Sequence, residues 1–72
     1  MIRNLVGERI KQLRQIKKLS QEQCAFIAGI DRTYLSGVER GQRNISIINL
    51  EKICTALGVS LGEFFGGTNA TN

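Results

Sequence analysis

The segment from Leu19 to Gly41, LSQEQCAFIAGIDRTYLSGVERG, allows few arrangements of the chain. Ser20 with Gln23 three residues later is a capping-box pattern, which opens a helix. Cys24, Ala25, Ile27 and Ala28 supply the buried side of that helix. Gly29 follows as a left-handed C-cap, because glycine adopts positive φ at little cost. Ile30 is then an apolar plug in the turn, and Asp31 is a good N-cap for the next helix. The turn is therefore only about three residues long. The next helix runs roughly Arg32 to Arg40 and stops at Gly41. Tyr34, Leu35 and Val38 form its apolar side, while Arg32, Thr33, Ser36 and Arg40 lie opposite. Where the two helices cross closely the contact residue must be small, and Ala25 meets that need.

The same period continues on either side. From Arg3 to Lys18, Ile2, Leu5, Val6, Ile10, Leu13 and Ile16 project from one face at helical spacing. Arg9 falls inside that stripe, with its stem packed and its head in water. Arg14 lies beside it, and Lys17 and Lys18 close the helix where cations suit the dipole. After the loop 41–45, Ser46 caps a fourth helix to about Leu57, with Ile47, Leu50, Ile53, Cys54 and Leu57 on a shared face. Gly58 ends it. Ser60 and Glu63 form a second capping box for a short fifth helix, Leu61 to about Phe65. With no proline and 42% apolar residues, the 72-residue chain reads as all-α. The expectation is a compact five-helix domain over residues 1–66 and a flexible C-terminal tail over 67–72.

A net charge of +4 suits an acidic partner, nucleic acid or an anionic surface. No apolar run approaches the roughly 18–20 residues of a membrane span. No secretory signal is visible, so the expected location is cytoplasmic, with no membrane partner. Cys24 and Cys54 fall on apolar faces and read as buried free thiols. Two Cys without a His make no standard zinc site, so no metal and no cofactor are expected. Nor is an enzyme: a nucleophile here would lack an accompanying base, and there is no glycine-rich phosphate loop. A small basic domain with one exposed polar helix face points to double-stranded DNA, read in the major groove.

With these residues in view, the chain resembles the lambda-repressor/Cro-like, or XRE-type, helix-turn-helix family over about residues 5–65. DRTYLSGVERGQRNISIINLEKIC looks more narrowly like the controller proteins of restriction–modification systems, which are small freestanding dimeric regulators. The resemblance implies roles position by position. Arg32, Thr33 and Ser36 match positions facing base edges, and Arg43 matches a loop position used on a base or a phosphate. Gln21, Tyr34, Arg40 and Asn44 are the candidates for the DNA backbone, Tyr34 with a base as its alternative. Arg14 and Glu39 match a family ion pair between the first and third helices. One departure stands out. The position four residues after Thr33, often a polar base reader in the family, is Gly37, which shifts specificity toward Arg32, the 41–45 loop and DNA deformability.

Ile48 lies off the apolar face of the fourth helix, beside Lys52. Phe64 and Phe65 are adjacent, so one narrow face cannot bury both. One fills the core and the other faces a partner. The candidates for a homodimer interface are Ile48, Lys52, Phe64 and Phe65. The function expected is a sequence-specific transcriptional regulator that binds a pseudo-palindromic operator as a homodimer, a restriction–modification controller protein. The alternatives are an antitoxin or phage-type repressor, or a protein-interaction module reusing the fold without reading DNA. No small-molecule ligand is expected.

Overall fold

Caps set the boundaries of nearly every element. The computed structural model describes residues 2–66, which form five helices and no strand: α1 (Ile2–Ile16), α2 (Gln21–Ala28), α3 (Arg32–Glu39), α4 (Ile47–Leu57) and α5 (Leu61–Gly66). The expected tail, 67–72, lies outside the described residues. Ser20, Asp31 and Ser46 accept from the backbone N–H three residues on, at Gln23, Tyr34 and Asn49. The Gln23 and Glu63 side chains reach back to the N–H of Ser20 and Ser60, completing both capping boxes.

The first four helices end in one way. A residue in the left-handed region donates back three positions, and its successor donates back five, which satisfies carbonyls the helix leaves open. The pairs are Lys18–Leu19, Gly29–Ile30, Gly41–Gln42 and Gly58–Val59. Lys18 is the exception in type, a lysine at φ 59° where the others are glycine. It also ends α1 two residues earlier than the sequence period implies, at Ile16. After α1, α2 and α4 the second residue is apolar, and Leu19, Ile30 and Val59 turn the chain back against the core. After α3 it is the exposed Gln42, so the chain stays at the surface alongside α3.

The core is Ile10 and Leu13 from α1, Cys24 and Ala25 from α2, Leu35 and Val38 from α3, four α4 residues and Phe64. The α1 helix packs on α3 and α4, α2 packs on α3 and α4, and α5 closes on α4. At Gly7, α1 comes close to α3. A methyl group there would run into the carbonyl oxygens of Val38 and Glu39, so α1 and the end of α3 touch backbone to backbone. Ala25 is buried in the core as well.

Several apolar expectations are corrected. Ile2, Leu5 and Ile16 are exposed, because the buried side of α1 runs through Gly7, Ile10 and Leu13, and at about 100° per residue Leu5 and Ile16 turn away from that side while Ile2 falls on its flank. Ile27 and Ile47 are exposed too. Arg9 does more than reach water. Its Nε donates to the Phe64 carbonyl at 2.9 Å and Nη2 to the Glu63 carbonyl at 3.3 Å, tying α1 to the end of α5.

Candidate nucleic-acid interface

The site is built on α3, and a charged network fixes where α3 sits. Arg14 Nε and Nη2 donate to the two Glu39 carboxylate oxygens at 2.7 and 2.9 Å, a fork-to-fork pair. Arg14 Nη1 donates to the Leu19 carbonyl at 2.9 Å, and Gln21 Nε2 donates to Glu39 Oε1 at 3.0 Å. Three helices thus meet at one carboxylate, and Arg14 ties the α1–α2 turn to it. The Arg14 and Glu39 side chains retain only 11% and 3% of their exposure. Hydrogen bonding to Glu39 raises the Arg14 pKa further above its ordinary value, so the guanidinium stays charged. One Gln21 amide proton is committed to Glu39, which leaves the other and the α2 N-terminus for any anion.

Asp31 starts α3 so that its first residues, Arg32 and Thr33, stand in solvent. Among the described residues neither makes a side-chain hydrogen bond or ion pair. One turn on, Arg40 Nη1 donates to Ser36 Oγ at 3.0 Å and Arg40 Nε donates to Gln42 Oε1 at 3.3 Å. Arg40 is exposed and Ser36 half-buried.

Arg43 and Asn44 are both exposed on the loop that runs back along α3. The Arg43 guanidinium carbon lies 5.3 Å from the centre of the Tyr34 ring, within cation–π range. Tyr34 is itself anchored. Its hydroxyl donates to the Asn44 carbonyl and accepts from Asn49 Nδ2, each at 3.3 Å. The structure thus places Tyr34 as a strut under the loop. Asn49 was not legible as a site residue; its one clue is its place three residues after the Ser46 cap. Gly37 is buried, and the Arg43 stem covers it.

Away from α3, Ile48 and Lys52 stand exposed on one side of α4. Phe65 is 42% exposed, with its ring edge-on to Phe64 at 5.0 Å. Phe64 is corrected as an interface residue: at 1% exposure it belongs to the protein's own core. Cys24 and Cys54 are buried free thiols. Burial is the main cause that raises both thiol pKa values, so both stay protonated and inert at neutral pH. Among the described residues, no helix is long and apolar enough to cross a membrane.

Comparison with known proteins points one way. The helix-turn-helix family pattern matches residues 10–64. Control protein C.MunI of a Mycoplasma species is 50% identical over 60 residues, spanning 82% of this chain and 81% of that protein. The solved restriction–modification controller protein C.AhdI of Aeromonas hydrophila superposes with a TM-score of 0.84 at 49% identity, covering 88% of this chain and 96% of that one. The controller protein C.Esp1396I, solved as a tetramer in complex with its natural 35-base-pair operator, superposes with a TM-score of 0.88 at 40% identity, over 93% and 88% of the two chains.

Proposed function

The chain belongs to the XRE-type helix-turn-helix family, and on that premise we propose that it is a transcriptional regulator of the restriction–modification controller kind, binding operator DNA as a homodimer. The observation that carries this is the unpaired state of Arg32 and Thr33 at the exposed start of a helix whose far end is clamped by the Arg14–Glu39 network. A cation at a helix N-terminus opposes the dipole. It is tolerated where it meets an external partner. Arg32 is suited to guanine O6 and N7 through two parallel hydrogen bonds, and Thr33 to a thymine methyl or a base hydrogen bond. Ser36 and Arg43 extend the reading surface. Gln21 with the α2 N-terminus, Arg40 and Asn44 would serve phosphates, which fix register without carrying sequence information. Tyr34 holds the loop that carries Arg43 and Asn44.

A twofold assembly through α4 and α5, using Ile48, Lys52 and Phe65, would set two α3 helices about 34 Å apart. The operator would then be pseudo-palindromic. C.Esp1396I, the relative solved with its operator, does assemble on DNA. The site of action would be the cytoplasm. The reading is tested by selecting duplexes from a random pool with the purified protein. Enrichment of one inverted repeat is expected. Recovery of unrelated sequences, bound equally well, would contradict it.

A further inference from the structure

Gly37 stands one turn after Thr33 on α3, where a side chain would project beside the reading surface. The seat is filled from elsewhere. An ideal Cβ on Gly37 would lie 2.5 Å from Arg43 Cγ, 3.5 Å from Arg43 Cβ and 3.6 Å from Arg43 Cδ. Every one of those atoms belongs to the aliphatic stem of one arginine. The stem crosses bare helix backbone at Gly37, and the guanidinium passes on to the Tyr34 ring, one turn back along α3. The Tyr34 hydroxyl is held at both sides, by Asn49 of α4 and by the Asn44 carbonyl, so the ring is a fixed platform. The chain reaches this place because α3 ends on Gly41, and Gln42, which follows, donates to the Gly37 carbonyl at 2.9 Å. That closure brings the next residue directly alongside position 37.

We propose that Gly37 is a positioning residue for DNA recognition: by lacking a side chain it seats the Arg43 stem across α3, so that an arginine from the loop takes the reading position the helix itself leaves bare. This rests on the reading above that α3 and its following loop meet DNA. A loop arginine free in solvent loses side-chain freedom on binding. One held by a helix groove and an aromatic face has lost much of it beforehand. Alanine at 37 removes the seat and swings the stem away. Arg43 remains present and charged, but no longer laid along the helix.

The test uses G37A, R43A and the double variant. Affinity is read by fluorescence anisotropy on a duplex selected from a random pool by the wild-type protein, and folding by thermal melting without DNA. R43A is expected to bind at least tenfold more weakly than wild type. G37A should lose a comparable factor. The double variant should lose no more than R43A alone, since an emptied seat has nothing left to position. In melting, Gly37→Ala should raise the midpoint more in the R43A background than in wild type, because alanine favours the helix and meets no stem there. That comparison holds even if G37A alone folds poorly. Wild-type affinity in G37A or R43A, losses that multiply in the double variant, or equal melting increments in both backgrounds would overturn the proposal. A wild-type protein that retains no duplex would instead sink the DNA-binding reading, and the melting comparison would still decide the seat.

Discussion

Glu39 is the residue on which most of the site's geometry converges. It accepts from Arg14 twice and from Gln21 once, nearly out of reach of water. Removing one member of such a pair leaves a buried charge without its partner, which costs about 3–5 kcal/mol. Glu39→Ala should lose stability on that scale, read as a lower urea midpoint. Arg14→Met combined with Glu39→Leu should recover most of it. Lys18 offers the opposite case. It occupies a left-handed position that costs a residue with a Cβ about 1–2 kcal/mol, so Lys18→Gly should raise the melting midpoint by a few degrees, about 1 kcal/mol after glycine's own entropy. The two buried thiols set a pH limit. Their pKa values are raised in the folded state, so their contribution is complete below the unfolded thiol pKa and is lost as pH rises through the folded value. Stability should therefore fall in the alkaline range. Replacing both cysteines by alanine should flatten that fall in a urea midpoint series against pH.

At the scale of elements, the helix starts were legible because Ser20, Asp31, Ser46 and Ser60 act through contacts three residues away. Local chemistry of that kind is written in the sequence. The extent of burial along α1 was not. The apolar spacing takes in Ile2, Leu5 and Ile16, but only Ile10 and Leu13 are buried among its apolar residues, because the side of α1 that meets the core is centred on Gly7, Ile10 and Leu13 and leaves the others on the flank or back of the helix. The Gly7 contact was also hidden, since a glycine in a helical pattern does not announce what approaches it. Gly7→Ala tests that contact directly. Despite better helix propensity, it should destabilise by about 1–3 kcal/mol through overpacking, and part α1 from α3. Likewise Gly37 read as the loss of a base contact, whereas its backbone is the bed for Arg43. That contact joins residues on two sides of a turn, and no periodicity shows it.

For the whole molecule, the charge of +4 and the direction in which α3 faces matter together. Binding to DNA should weaken steeply with salt, with a log–log slope of several units, as phosphates shed counterions. The twofold arrangement is a claim at this scale too. Ile48→Ala is expected to shift sedimentation equilibrium toward monomer without lowering the monomer's helix content, and an unchanged dimer constant would reject α4 as the contact. The most direct measurement is the affinity of Arg32→Ala for the selected duplex relative to a shuffled duplex of equal length and salt. A loss of about 1–3 kcal/mol on the selected duplex, with shuffled DNA bound nearly as before, is the predicted result. An unaltered ratio between the two duplexes would mean that the outward start of α3 does not read bases.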